Sequence, residues 1–258
     1  MCLLVIGWRV HPRFSLVVAA NRDEFHARGA TPMSVWADAP GILAGRDLEA
    51  GGTWLGIDRA RRVGIVTNFR ELARKRRSAP SRGALIPRYL KSELAPDAWL
   101  ADLETDAPAY AGFNLLLADA GSLWYASNRA DQFARPLAAG VHGLANHFLD
   151  TPWPKLERVR SGFAQWVGEA SSDLESLFTL LSDRRTTETT GQAQTGLSPA
   201  WERTLSAPFV VHPEYGTRCT TVVTIAANGA LRCEERSFDA DGERTGQVSY
   251  EFQSQEWA

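Results

Sequence analysis

The chain begins with two short apolar runs, 3–6 and 14–20, separated by a turn at Pro12. Runs of this length around a turn are typical of a β-hairpin. In that hairpin Cys2 lies opposite the polar run Asn21-Arg22-Asp23-Glu24, near Asn21 or Arg22. Neighbouring strands lie about 4.8 Å apart. The sequence therefore predicts that a thiol and a cluster of charges meet at one end of a sheet.

Strand patterns occupy both ends of the chain and helical patterns its middle. A hairpin around residues 59–61 brings Thr53 near Asn68, and residues 26–41 are expected to be mainly a connection. Asp97 is expected to cap its helix. Helices are predicted over 81–90, 97–103, 154–167 and 173–181. Further strands are predicted over 42–47, 51–57, 63–69, 113–118, 122–126, 209–211, 215–226, 230–238 and 247–252. This order is typical of the α+β class, with antiparallel sheets and segregated helices, here in one domain over 1–258.

Composition restricts the partners and the compartment. The net charge of -2 and pI near 6.2 give no reason to expect a nucleic-acid partner. The chain holds no apolar run of the roughly 18 residues that a membrane span needs, and its start lacks the features of a secretory signal. We therefore expect a soluble, cytoplasmic protein without a membrane span.

The three cysteines are expected to be free thiols. Their number is odd, and Cys2, Cys219 and Cys233 lack metal-ligand spacing. An Asn228-Gly229 turn predicts a hairpin that pairs Cys219 with Phe238 rather than with Cys233. Cys219 and Cys233 are interpreted as small core residues.

Two further segments stand out by composition. Residues 59–91 hold eleven basic residues and one acid, which indicates either a solvated surface or a landing patch for an anionic ligand. Residues 184–198 are rich in Thr, Gln and Gly and poor in large apolar side chains. This second segment is predicted to be a mobile loop or lid.

The position of Cys2 is compatible with two roles. Removal of Met1 leaves Cys2 with both a thiol and an α-amine, whose pKa of about 7.7–8.0 suits a base at neutral pH. Such a site also needs groups that stabilise an oxyanion and a carboxylate that holds the amine, roles open to Arg22, Asp23 and Asn68. The simpler interpretation is a buried core cysteine.

A series of motifs occurs along the chain in a fixed order. They are Met1-Cys2, Asn21-Arg22-Asp23-Glu24, Gly51-Gly52-Thr53-Trp54-Leu55-Gly56, Thr67-Asn68, Ser81-Arg82-Gly83, Phe113-Asn114-Leu115, Gly143-Leu144-Ala145-Asn146, Trp153-Pro154-Lys155 and Tyr215-Gly216-Thr217-Arg218-Cys219. Taken together, these motifs resemble the NRDE family, also called the transport-and-Golgi-organisation protein 2 family, over residues 1 to about 238. The family pattern has Ser immediately before Asn146, where this chain has Ala145.

The resemblance implies an N-terminal-nucleophile hydrolase-like fold, a four-layer αββα sandwich of two antiparallel sheets flanked by helices. It also implies similarity to cysteine amidases that cleave penicillin V and conjugated bile salts. Cys2 is then the nucleophile, Asp23 holds the α-amine with help from Arg22, and Arg218 supports Cys2. Asn68 and Asn146 serve the oxyanion and the amine. The implied activity is hydrolysis or acyl transfer at an amide or thioester bond, with no required cofactor.

The resemblance leaves a second function open, because family members are linked to haem trafficking and to lipid or acyl-CoA homeostasis. The chain is then a carrier of haem or an acyl-lipid without chemistry. Its partner in either case is a small acyl or haem-like ligand. A purely structural or adaptor role is a third interpretation. The ligand pocket is predicted to include Asn21, Glu24, Trp54, Thr67 and His147, and the candidate haem-iron ligands are Cys2, His26, His142, His147 and His212.

Overall fold

The computed structural model describes residues 2–71, 79–187 and 197–253. Three of the features above lie partly or wholly outside these residues. They are Met1, the centre of the basic stretch (72–78) and the centre of the predicted lid (188–196).

The described residues form strands, α-helices and two 3₁₀ turns, at 82–84 and 107–109. The strands are β1 (Cys2–Trp8), β2 (Phe14–Phe25), β3 (Ala30–Trp36), β4 (Ala39–Asp47), β5 (Leu55–Asp58), β6 (Val63–Asn68), β7 (Phe113–Ala118), β8 (Leu123–Ser127), β9 (Ala134–Pro136), β10 (Gly140–Leu144), β11 (Tyr215–Ala226), β12 (Leu231–Phe238) and β13 (Arg244–Phe252). The helices are α1 (Leu85–Lys91), α2 (Pro96–Glu104), α3 (Pro154–Gly168), α4 (Leu174–Leu181) and α5 (Pro199–Thr204). None of the helices in the described ranges combines the length and apolar character that crossing a bilayer requires.

The first compact unit comprises 1–27, 139–145 and 149–258 and holds a six-stranded antiparallel sheet in the order β10-β1-β2-β11-β12-β13. Helices α3 and α4 bury their apolar sides against β1, β2 and β11. Apolar residues at helical spacing give α3 that side, and Pro154 suits its first turn because a helix's first N–H groups need no partner within the helix. Asp173 caps α4 by accepting hydrogen bonds from the backbone of Glu175 and Ser176.

The second compact unit comprises 28–138 and 146–148. Its seven-stranded antiparallel sheet runs β3 to β9 in chain order, so each strand pairs with the next along the chain. Helices α1 and α2 pack their apolar residues against β4 and β6–β8. The α+β prediction with two antiparallel sheets is confirmed, and each unit contains one strand layer and one helix layer of the predicted αββα arrangement. One domain over 1–258 stays a prediction.

Several predicted pairings are confirmed to within one residue. Cys2 lies opposite Arg22. Leu55 pairs with Ile65. The same register continued by two residues puts Thr53 opposite residue 67, one position from the predicted Asn68. Cys219 pairs with Ser237 rather than with Phe238. The shifts are small because each hairpin turn was located to within one residue.

Other predictions were wrong for identifiable reasons. Most of the expected connection 26–41 is strand, because β3 is an exposed edge strand with little apolar alternation. Asp97 lies in the first turn of α2 and Ala95 holds the cap position, since Pro96 begins the helix. Residues 209–211 do not form a strand, although Val210 exchanges two hydrogen bonds with Thr217.

Gly52 and Gly83, which belong to two different motifs of the second unit, lie in backbone contact. A Cβ atom on Gly52 would lie 2.4 Å from both the carbonyl carbon and oxygen of Gly83. The backbone N–H of Thr53 donates to the Gly83 carbonyl oxygen at 3.0 Å. The two chain segments cross in contact, and only glycine leaves room for this backbone approach.

Replacing Gly52 with alanine should therefore destabilise the protein. The new methyl group meets rigid backbone, so Gly52→Ala is expected to cost about 2 kcal/mol or more of unfolding free energy. Gly41→Ala is the matched control because its Cβ meets nothing within 4 Å. The control should change the unfolding free energy by no more than about 0.5 kcal/mol. Urea unfolding of both variants measures this, and equal effects would contradict the packing role of Gly52.

Candidate functional site

Arg22 in β2 lies between two cysteines. It is the register partner of Cys2 in β1 on one side and of Cys219 in β11 on the other. Two strand spacings therefore separate the thiols, about 9.6 Å between Cα atoms. A disulfide requires Cα atoms within about 7 Å. Cys2 and Cys219 accordingly remain free thiols, as does Cys233.

Arg218 occupies a β-bulge at the same end of the sheet. The register between β2 and β11 shifts between Thr217, opposite Asp23, and Cys219, opposite Arg22, so Arg218 is an extra residue. Its guanidinium donates from Nη1 to the carbonyl oxygens of Phe25 at 3.1 Å and His26 at 3.0 Å. Bulges re-aim side chains in this way. Here the bulge turns an arginine onto the end of β2.

The two faces of this sheet carry different chemistry. Ala19 packs toward α3 and α4, and by alternation Asn21 and Asp23 share that face. Cys2 and Arg22 belong to the opposite face. The Asn21 side chain is buried, donates to Leu181 O and Pro208 O, and accepts from Thr220. The structure thus places Asn21, predicted to line the pocket, in bonds that join β2 to the end of α4.

Asp23 is 1% exposed, and a hydroxyl holds its carboxylate. Thr217 Oγ1 lies 2.8 Å from Asp23 Oδ1 and accepts from the backbone N–H of Val210 at 2.9 Å. The hydroxyl hydrogen is therefore directed at Asp23. Burial raises the pKa of Asp23, while the charge of Lys155 and the bond from Thr217 lower it. Glu24, half-buried beside it, raises the pKa of Asp23 further.

Cys2 is a buried residue, 9% exposed. Burial raises the pKa of Cys2, and the charge of Asp23 raises it further, whereas Arg22 and a hydrogen bond from the backbone of Asp23 lower it. The net direction is upward. At neutral pH this thiol is mostly protonated, so a nucleophilic role needs a nearby base.

The predicted asparagines lie in the second unit and are joined to each other. Nδ2 of Asn146 donates to the carbonyl oxygen of Asn68 at 2.8 Å. The backbone N–H of Arg70 donates to the carbonyl oxygen of Asn146 at 2.7 Å. Asn146 is 1% exposed, whereas Asn68, at the end of β6, is exposed. The segment beginning at Asn146 is thereby fastened to the end of β6.

The remaining predicted pocket residues of this unit lie close to that junction. Thr67 is buried in β6, next to Asn68. His147 contacts Phe69 and Phe148 through its ring, and burial lowers its pKa, with the charge of Arg70 acting in the same direction. Trp54 is half-buried, and its carbonyl oxygen accepts from Val66 N.

The other candidate haem ligands make contacts of their own. His26 Nε2 lies 3.0 Å from the carbonyl oxygen of His212, and His142 Nδ1 lies 3.2 Å from Asp150. The ring of His212 packs on Trp201 at 4.7 Å. Among the described residues no three His, Cys, Asp or Glu side chains form a group suited to a metal ion. Haem binding stays a prediction.

Three buried polar residues were missed as contributors to these sites. Lys155 is 1% exposed and donates to Leu205 O at 2.8 Å, Thr217 orients Asp23, and Asn114 lies among Thr67, Tyr125 and residue 147. All three stand inside motifs that carried the family resemblance. A polar residue within a buried, motif-bearing segment is the signal that marks them.

A family model described as Transport and Golgi organisation 2 matches residues 1–240. The chain belongs to this family. Its relatives include a mouse Transport and Golgi organization 2 homolog, 32% identical over 98% of this chain and 99% of the relative. The human homolog is 29% identical over 98% and 99% of the two chains, and the Drosophila melanogaster protein is 28% identical over 92% of each.

Solved structures with some likeness to this family member include two hydrolases. One is a Caenorhabditis elegans N-acylethanolamine-hydrolyzing acid amidase ortholog, with a TM-score of 0.46 and 12% identity over 86% of this chain and 92% of that chain. The other is the C2A mutant of a conjugated bile acid hydrolase from Clostridium perfringens, with a TM-score of 0.49 and 7% identity over 98% of each chain.

Removing the Thr217 hydroxyl should destabilise this family member. Thr217→Val leaves the buried Val210 N–H without its acceptor and takes a donor from Asp23, so a loss of about 2–3 kcal/mol is expected. Thr217→Ser keeps the hydroxyl and is the matched control, expected to lose about 1 kcal/mol or less through one methyl group. Chemical denaturation measures both, and equal losses would contradict the role given to the hydroxyl.

Proposed function

We propose that this member of the Transport and Golgi organisation 2 family is an N-terminal-cysteine hydrolase or acyltransferase that acts on the amide or thioester bond of a small acyl ligand. The observation that carries the proposal is the register at one end of the first sheet. It pairs Cys2 with Arg22, whose neighbour along β2 is Asp23, and a bulge turns Arg218 onto the same end. The family resemblance assigns the same four residues to the reaction.

The α-amine of Cys2 is the proposed base. The raised pKa of Cys2 keeps its thiol protonated, and a thiol must lose its proton to attack. Once Met1 is removed, the amine lies on the same residue as the thiol, with a pKa of about 7.7–8.0. Asp23 holds and orients this amine, and Thr217 in turn fixes the carboxylate.

The proposed reaction proceeds in two balanced steps. The amine takes the proton of Sγ, the sulfur forms a bond to the acyl carbon, and the intermediate collapses as the ammonium protonates the departing amine or thiol. This leaves an acyl group on Cys2 as a thioester. In the second step the amine takes a proton from water, the hydroxide attacks the thioester, and Cys2 leaves and regains its proton. An acceptor amine or thiol in place of water gives transfer.

The charge that develops on the acyl oxygen needs donors. Asn68 and Asn146 are the proposed donors, and Arg22 supplies positive charge beside Cys2. Glu24, Trp54, Thr67 and His147 are proposed to line the ligand pocket. Asn21 is proposed to have a positioning role rather than to line the pocket, because its amide is bonded to the main-chain oxygens of Leu181 and Pro208.

The test is acylation of purified protein by p-nitrophenyl butyrate, followed by intact mass and release of p-nitrophenolate. Wild type should lack Met1 and gain one butyryl group on the peptide that begins at Cys2. Cys2→Ala should lose at least about 100-fold of the rate, since the nucleophile is gone. Cys233→Ala removes a fully buried thiol of the same sheet and should keep the wild-type rate. Retained Met1, or a rate unchanged in Cys2→Ala, would refute the proposal.

The pH profile should report the amine. The rate is expected to rise with pH through an inflection near pH 7–8, because the neutral amine is the base. Asp23→Asn should move the inflection to lower pH, since a nearby carboxylate favours the charged ammonium. Glu24→Gln also removes one negative charge, but at the next residue along the chain, so it should shift the inflection less. An inflection that does not move in Asp23→Asn would remove Asp23 from its assigned role.

A further inference from the structure

We infer that Asn114, a buried amide in β7 to which no role has been given, is a positioning residue for the two proposed oxyanion donors. The inference rests on the proposed function. Asn114 is 0% exposed and is the register partner of Thr67 in β6. Its side chain bonds the residue before Asn68 and the residue after Asn146.

The orientation of this amide follows from its partners. The carbonyl oxygen of His147 lies 3.0 Å from Asn114 Nδ2, and a carbonyl oxygen only accepts hydrogen bonds. The nitrogen must therefore face His147. Oδ1 then accepts from the hydroxyl of Tyr125 at 2.8 Å, and the second hydrogen of Nδ2 points to Thr67 Oγ1 at 3.3 Å.

The consequence is a closed set of bonds around the proposed donors. Asn146 is already bonded to Asn68 and Arg70 on its own side. Asn114 adds a hydrogen bond to Thr67 and one to His147. The segment at 146–148 and the end of β6 are therefore bonded to the same buried side chain. An error of about 1 Å in donor position costs up to about 100-fold in rate. A fixed anchor at this place therefore affects the rate through the positions of the two donors.

Asn114→Asp is the sharpest variant because it keeps the shape and replaces Nδ2 by an acceptor that repels the His147 carbonyl. Hydrolysis of p-nitrophenyl butyrate should fall about 10- to 100-fold in kcat with little change in KM. Thr67→Val removes only the hydrogen bond from Asn114 Nδ2 to residue 67, so kcat should fall less than in Asn114→Asp. Thr67→Ser keeps the hydroxyl and should restore kcat. Tyr125→Phe is the matched control. It removes the hydrogen bond to Asn114 Oδ1 but keeps both hydrogen bonds that Nδ2 donates, so kcat should stay within about threefold of wild type.

A second measurement separates positioning from general damage. Alkylation of Cys2 by iodoacetamide forms no oxyanion, so its rate should be the same in Asn114→Asp and wild type. If alkylation and hydrolysis fall in parallel, or if Tyr125→Phe loses as much kcat as Thr67→Val, the inference is overturned. Asn114→Asp and Thr67→Val that keep wild-type kcat, while Cys2→Ala loses it, overturn this inference alone. Equal hydrolysis by wild type and Cys2→Ala overturns the proposed function, and the inference falls with it.

Discussion

The pairing of β2 with a strand on each side determines what surrounds Cys2. Antiparallel register fixes partners residue by residue, and a slip of one position would move every side chain of β2 to the other face. The bulge at Arg218 changes the register once, at the end where Cys2 lies. Beyond the bulge, Thr217 faces Asp23 and bonds it. An unbroken register would present a different residue to that carboxylate.

Buried polar side chains hold the loops against both sheets. Thr217 links Asp23 in β2 to the backbone of Val210, and Asn114 links β6 to the segment at 146–148. Burying such groups is costly unless each finds a partner. In both cases a main-chain N–H or carbonyl settles which way the side chain is oriented. The result is a rigid connection between a strand and a loop.

The sequence predicted what depends on local pattern. The apolar runs and turns gave β7 and β11 their full bounds and β2 its first residue, and Asp173 was correctly put at the start of α4. It did not predict contacts with main-chain atoms far along the chain, because carbonyl oxygens carry no sequence signal. Lys155 meets Leu205 O, fifty residues away, and Asn114 meets His147 O, thirty-three away. The edge strand β3 was missed because exposure leaves it without apolar alternation.

Why Cys2 rather than Cys219 is the candidate nucleophile follows from their shared neighbour. Both thiols flank Arg22, and burial raises the pKa of each. Cys219 also lies beside the buried Glu235, whose charge and hydrogen bond raise its pKa further, while Cys2 receives a hydrogen bond from the backbone of Asp23 that lowers its own. Cys2 alone gains an α-amine when Met1 is removed. The same sheet thus contains a thiol that can be given a base and one, Cys219, that burial and then the charge of Glu235 keep protonated.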